Sequence, residues 1–219
     1  MKILVDAFLA QVEEALHPLG FRYIRSRRSF ERRFDGGKQA LHLSLNLYRD
    51  EFYVAADVAI RFNVLEDLLN ANDTSLSQRA KAVTYSIGCE LGNLVYGDYK
   101  RWTVQDADGG ATVAGAVSDF FIEHGLPYFD RYSSLPAAFA LIAPHPERIC
   151  LHQPFLVTRA KYVVALAVLL GEQNALASLV PAYEAALRSH RPAEMDAFRT
   201  FVMQQLGHSA QDFMHLQLG

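Results

Sequence analysis

Serine, histidine and carboxylate side chains fall on alternate positions of two strand-like runs, and nucleophilic catalysis uses that combination of types. In residues 40–48, Leu41, Leu43, Leu45 and Leu47 alternate with His42, Ser44, Asn46 and Tyr48. In residues 52–62, Phe52, Val54, Ala56, Val58, Ile60 and Phe62 alternate with Tyr53, Ala55, Asp57, Ala59 and Arg61. A two-residue loop at Asp50-Glu51 would pair Arg49 with Phe52 and set Ser44 opposite Asp57. A four-residue loop over residues 35–38 would pair Phe34 with Gln39, Phe30 with Leu43 and Glu31 with His42. One face then gathers Glu31, His42, Ser44, Asn46, Tyr48, Tyr53, Asp57 and Arg61. Mid-strand side chains stand straight off a sheet, whereas a nucleophile also needs an oxyanion hole built by a turn or a helix N-terminus. No GxSxG elbow supplies one. The face therefore reads as a hydrated sheet surface with polar cross-strand pairs or as a binding surface.

A second candidate is basic. Arg22, Arg25, Arg27, Arg28, Arg32, Arg33 and Lys38 place seven positive groups against two negative ones in residues 22–38. Tyr23 and Phe30 are interleaved, as on nucleic-acid surfaces. Alternation sends these arginines to both faces and into a turn, and Arg32, sharing a face with Phe30 and Phe34, belongs at the rim of a core. A salt-linked hairpin, a surface for an acidic protein and a nucleic-acid surface all fit this run.

No cofactor or metal motif accompanies these residues. The eight histidines include pairs seven apart, His145/His152 and His208/His215, but no HExxH and no i, i+4 pair. Cys89 and Cys150 stand far apart without CxxC and read as reduced thiols, a single bridge being the alternative. Phosphate-loop and dinucleotide glycine patterns are missing from the chain.

The elements that must position these side chains are legible from periodicity. Residues 3–17 form an amphipathic helix on Val5, Phe8, Leu9, Val12 and Leu16, stopped by Pro18 and Gly20. Strands are expected at 21–25, 29–34, 40–48 and 52–62, with a fifth at 99–105 closed by a turn at 106–110. Helices are expected at 63–72, 77–95 and 112–124, in short pieces at 127–132 and 135–143, and at 158–170, 174–189 and 192–206. Asp73-Thr74-Ser75 is expected to break the first of these, and Pro181 to kink or split the helix at 174–189. The fold class is α+β: an N-terminal helix packed on an antiparallel sheet of about four to five strands, followed by a mostly helical C-terminal half. Residues 1–110 and 111–219 read as subregions of one compact protein.

Composition bounds the rest. The 219 residues are 51% hydrophobic and 21% charged, which excludes wholesale disorder and a disulfide scaffold. The net charge of −3 lacks the strong positive excess of a general polyanion binder. It is unevenly spread: +2 over residues 1–62, −6 over 63–130 and +1 over 131–219. The N-terminus does not read as a signal peptide, and the longest apolar runs fall far short of the roughly 20 residues a membrane helix needs. A soluble, cytoplasmic protein without membrane contact is expected.

Several of these residues also form a pattern. Leu16-His17-Pro18-Leu19-Gly20-Phe21-Arg22 is followed by Ser29-Phe30-Glu31-Arg32, a strand over 42–47 and another starting Phe52-Tyr53-Val54. With Trp102 and Leu126-Pro127-Tyr128-Phe129, this resembles the bacterial proteins grouped as domain of unknown function 4304, over roughly residues 5–135. Arg22 stands where the pattern has lysine. The resemblance carries over no catalytic residue. It implies, by association only, a role as an immunity protein beside secreted toxins.

The expectation is a non-enzymatic protein-binding module, toxin neutralisation being its specific form. Its candidate binding residues are Arg22, Arg25, Arg27, Arg28, Glu31, His42, Ser44, Tyr48, Tyr53 and Asp57. Two alternatives stay open: a hydrolase with a pocket between sheet and helices, lined by His42 or His124, and RNA binding through the Arg-rich hairpin.

Overall fold

A computed structural model describes residues 1–71 and 76–207, with the backbone alone at Gln173. The break expected at residues 73–75 and the His208/His215 pair lie outside the described residues. The architecture is α+β, with an N-terminal helix, an antiparallel sheet and a helical C-terminal half. The chain divides into two compact units, Met1–Arg61 with Ile87–Ser133, and Phe62–Ser86 with Ser134–Gly219.

The first unit carries the sheet. Its strands are β1 (Arg22–Ile24), β2 (Ser29–Phe34), β3 (Gly37–Leu47), β4 (Phe52–Phe62), β5 (Ile87–Glu90) and β6 (Trp102–Val104). The order is β1-β2-β3-β4-β5, and β6 also pairs with β4. β5 lies along Asp57–Ile60 and β6 along Phe52–Val54, so both pair with β4 at different points along its length. Helices α1 (Lys2–Leu16) and α5 (Ala107–Phe120) pack against each other. Phe8 of α1 meets Phe52 of β4 edge to face at 5.5 Å, and Phe21 meets Phe121 at 5.2 Å. Val12, Leu16, Phe30, Leu41, Val54, Val58, Ile60 and Val117 complete this core, all fully buried. Leu41, Leu43 and Leu45 of β3 face inward, as the period of two requires, while Leu47 at the strand's end is exposed.

The β2–β3 turn differs from expectation. Phe34 pairs with Gly37, so the loop has two residues, Asp35-Gly36, rather than four. Gly36 has φ +82°, the left-handed geometry of a tight hairpin, and Asp-Gly favours that turn. Gly37 has no room for a side chain, because a Cβ there would lie 2.0 Å from the Arg61 carbonyl oxygen. The register consequently moves by two: Phe30 faces Leu41, Glu31 faces Ala40, and His42 faces Ser29. An even shift leaves every side chain on its expected face.

The segment 77–95 is not one helix. It forms α3 (Gln78–Lys81), β5 and α4 (Leu91–Tyr96). A Cβ at Gly88 would lie 2.7 Å from the Val58 carbonyl, so glycine lets β5 close onto β4. Glu90 ends the strand and caps α4, its carboxylate accepting from the Gly92 and Asn93 amides at 2.9 and 2.7 Å. Asp106–Gly110 is likewise no strand-closing turn. Asp106 caps α5 by accepting from the Gly109 amide at 2.7 Å. A π-turn, Phe121–Gly125, leads from α5 into α6 (Leu126–Tyr132).

The second unit is helical: α2 (Asn63–Asn70), α3, α7 (Leu135–Ile142), α8 (Leu156–Leu170), α9 (Gln173–His190) and α10 (Met195–Leu206). Pro181 sits inside α9, which is continuous from Gln173 to His190. α8 is the centre of this unit, packing against α2, α7, α9 and α10. Its Val163, Val164, Ala165, Leu166 and Ala167 are fully buried. Two buried polar side chains tie the helices together. Glu66 of α2 accepts from Thr84 Oγ1 (2.5 Å), Ser86 Oγ (2.7 Å) and Tyr162 Oη (2.7 Å). Arg159 of α8 donates to the carbonyls of Ile142, Pro144, His145 and Arg148. Among the described residues no helix is long and apolar enough to cross a membrane.

Candidate functional site

The outer face of the sheet brings most of the expected residues together, in three groups. The first is centred on Glu31. Its carboxylate accepts from Ser29 Oγ at 3.0 Å and from Lys38 Nζ at 3.3 Å. Arg27 Nε stands 2.8 Å away as an ion pair without the alignment of a hydrogen bond. His42 shares this group through its pairing with Ser29. Burial holds the His42 imidazole below the ordinary histidine value; Glu31 opposes that shift, and Lys38 and Arg27 add to it. A carboxylate with three partners, beside an imidazole biased toward its neutral form, anchors the hairpin.

Asp57 is the centre of the second group. It pairs across the strands with Glu90, and Ser44 Oγ lies 3.5 Å from its Oδ2, at the outer limit of a hydrogen bond. Burial pushes the Asp57 carboxyl up to about 6; Glu90 adds to the shift and Ser44 opposes it. The Glu90 carboxylate is committed to capping α4 and to the Asn93 side chain and the Lys100 amide. Ser44 therefore meets a carboxylate with no histidine between them, so the Ser-His-Asp relay does not form there.

The third group lies at the far end of β4. Tyr53 Oη donates to Glu51 at 2.6 Å, Gln105 donates to the same carboxylate, and Tyr48 packs on Tyr53 with ring centroids 5.2 Å apart. The Tyr53 hydroxyl is raised above its ordinary value by its bond to Glu51. Tyr48 is exposed.

Asp57 gives this face a measurable pH signature. A carboxyl whose value rises on folding holds its proton more tightly in the folded chain, so stability falls as pH rises through the window from about 4 to about 6. Asp57→Asn keeps the shape and removes the charge. It is expected to stabilise the protein by about 1–2 kcal/mol at pH 7.5, after discounting for partial exposure. That gain closes largely by pH 4.5. Urea midpoints of both proteins at the two pH values check this; equal gains at both would contradict the assignment.

The basic run divides by environment. Arg32 stacks over the Phe21 ring at 4.7 Å and donates to Gln39 and to the Leu19 carbonyl, so it belongs to the core rim as expected. Arg27 is held by Glu31. The other three candidates, Arg22, Arg25 and Arg28, are exposed at the β1–β2 end. Arg22 contacts His17, and Arg25 comes no closer than 3.7 Å to Asp6, with both side chains largely in solvent. Arg28 has φ +50°, a left-handed conformation that costs a side-chain-bearing residue about 1 kcal/mol or more. Its carbonyl accepts from the Leu43 amide, which fixes the turn against β3.

One feature of the second unit has no counterpart in the sequence expectations. A cavity of about 640 Å³ opens between α2, α8 and α10. Glu66, Lys161, Tyr162, Thr200 and Gln204 are among its polar lining. Neither His42 nor His124 lines it. Its residues come from three helices far apart in the chain, so no local spacing announces it. Cys89 and Cys150 are both thiols. Among the described residues no three His, Cys, Asp or Glu side chains gather as a metal ion would require. No family model matches this chain, and no curated protein or solved structure matches it either.

Proposed function

We propose that the chain is a non-enzymatic protein-binding module that presents the β1–β2 end of its sheet to an acidic protein partner. The observation that carries this reading is the exposed trio Arg22, Arg25 and Arg28, with Arg28 kept in a left-handed turn where glycine or asparagine would be the less strained choice. Strain of this kind concentrates at binding sites. Charged groups left to solvent steer a complementary partner, whereas Arg27, already neutralised by Glu31, contributes little. The resemblance to domain of unknown function 4304 supports toxin neutralisation as the specific form, the acidic partner then being the toxin.

The test compares wild type with Arg25→Glu/Arg28→Glu as tagged baits in lysate of the source organism, with and without nuclease. The expected result is a stoichiometric protein that survives nuclease and that the double variant retains at least tenfold less well. Retention that ignores the charge reversal overturns this reading. Captured nucleic acid, shed on raising the salt, would replace it with RNA binding.

A further inference from the structure

The connection between β5 and β6 builds a corner of aromatic rings around one lysine. Glu90 caps α4 and also accepts from the Lys100 amide at 3.3 Å. Gly92 lets that backbone approach, since a Cβ there would lie 2.5 Å from the Lys100 nitrogen. Gly97, at φ +69°, ends α4 immediately after Tyr96. Trp102 begins β6, and Phe120 closes α5. Tyr96 stacks on Phe120 with centroids 5.8 Å apart, and Trp102 meets Phe120 edge to face at 5.6 Å. The Lys100 ammonium lies 5.2 Å from the Tyr96 centroid, 5.2 Å from Trp102 and 5.1 Å from Phe120.

Three ring faces within about 6 Å of one cation make a cation–π site. What surrounds that cation decides which ligand suits it. Among the described residues Lys100 Nζ has no hydrogen-bond acceptor and no ion-pair partner. A primary ammonium carries three N–H donors and is strongly hydrated, so it gives up hydrogen bonds to water in such a corner. A quaternary ammonium has no donor to satisfy and presents a diffuse charge to the rings. The corner thus fits a trimethylammonium group better than the lysine that fills it. Tyr96 is 61% exposed, so one wall is open to solvent and Lys100 can swing out.

We propose that Tyr96, Trp102 and Phe120 form a binding site for a trimethylammonium group, which Lys100 occupies in the ligand-free protein and vacates on binding. The group can be carried by a free small molecule of the choline type or by a trimethylated lysine side chain. The site lies within the first unit, and its test is independent of the acidic-partner reading.

Trp102 is the single tryptophan of the chain and sits in the site, so its fluorescence reports occupancy. Choline, a short peptide carrying trimethyl-lysine, and 3,3-dimethylbutanol, the uncharged shape mimic of choline, are titrated against wild type, Lys100→Ala and Lys100→Ala/Tyr96→Ala. Lys100→Ala empties the corner and is expected to bind choline or the peptide at least tenfold more tightly than wild type. The neutral mimic should produce no saturable change. Removing Tyr96, an exposed side chain, should weaken binding about fivefold, the order of one cation–π wall. Tighter binding of choline assigns the site to small molecules, and tighter binding of the peptide assigns it to modified proteins. The proposal is overturned by equal responses to choline and its neutral mimic, by no saturable response in Lys100→Ala, by equal affinities in wild type and Lys100→Ala, or by an affinity that ignores Tyr96. Circular dichroism of each variant establishes that it is folded before titration.

Discussion

Arg159→Met is expected to destabilise the protein by about 2–4 kcal/mol, because it removes at once four charge-assisted hydrogen bonds that tie one loop to α8. The guanidinium is 3% exposed and donates through Nε to the Ile142 carbonyl at 2.7 Å and through Nη1 to Arg148 at 2.8 Å. It also reaches the carbonyls of Pro144 and His145 and lies over the Tyr183 ring at 5.6 Å. The loop it holds closes two short turns of its own, Arg148 amide to His145 carbonyl and Gln153 amide to Cys150 carbonyl, and includes His145 at φ +56°. The Pro144 and Arg148 carbonyls take their donors from the planar guanidinium, which supplies several at fixed angles. Arg159→Lys keeps the charge but offers a single nitrogen, so about half of the loss is expected. Urea unfolding followed by circular dichroism measures the cost. Hydrogen exchange should localise it to residues 142–155. A cost below about 1 kcal/mol would show that the loop finds its donors without Arg159.

Glu66→Ala is the second large effect, expected at about 3 kcal/mol. The carboxylate is 1% exposed and receives three hydroxyls, from Thr84, Ser86 and Tyr162, with Asn70 Nδ2 at 3.4 Å. Ser86 Oγ in turn accepts from the Phe62 amide, so the network reaches from the end of β4 into α8. Alanine removes the common acceptor and leaves buried hydroxyls facing a cavity. Glu66→Gln keeps the shape and one oxygen, and hydroxyls can turn to accept from its amide, so a cost nearer 1 kcal/mol is expected. The ratio of the two costs is diagnostic. Equal losses would mean that the charge, and not the acceptor geometry, holds α2 to α8.

Long regular elements were legible because many residues vote on one period. The β4 span, Phe52–Phe62, and the β2 span, Ser29–Phe34, coincide with expectation, and the tail helices agree within a few residues at their ends. Among the short elements, β1, β6, α6 and α7 lie at their expected places, whereas α3, β5 and α4 were read as one helix. β5 has four residues, so Ile87 and Cys89 give only two apolar positions to an alternation, and Gly88 reads as a weak helix position until its closeness to the Val58 carbonyl is seen. Glu90 is an uncommon helix cap and gave no start signal for α4. At Asp106 the cap was present, but Gly109-Gly110 imitated a turn. Asp35-Gly36 carries the Asp-Gly hairpin signal, but Gly37 and Lys38 prolong the turn-like composition to four residues. The even register shift that followed did no harm to the faces.

The candidate site was legible to a similar depth. Residue types on the outer face followed from alternation, so Glu31, His42, Ser44, Tyr53 and Asp57 lie where a period of two puts them. Ser44 and Asp57 meet as expected; the other partners did not follow, because Lys38, Ser29 and Glu90 enter through register and through a strand the pattern hid. The aromatic corner at Lys100 depends on α4, β6 and α5 meeting, and no spacing along the chain encodes that meeting. The packing of residues 62–86 with the C-terminal helices is equally long-range.

In the proposed function, the exposed arginines at the β1–β2 end steer an acidic protein partner. The most direct measurement is the association rate constant of the purified captured partner with wild type and with Arg25→Glu/Arg28→Glu, across a range of ionic strength. A wild-type rate that falls steeply with salt, and a variant rate at least tenfold lower at low salt and nearly flat, is the predicted result. Equal rates with equal salt dependence would contradict it.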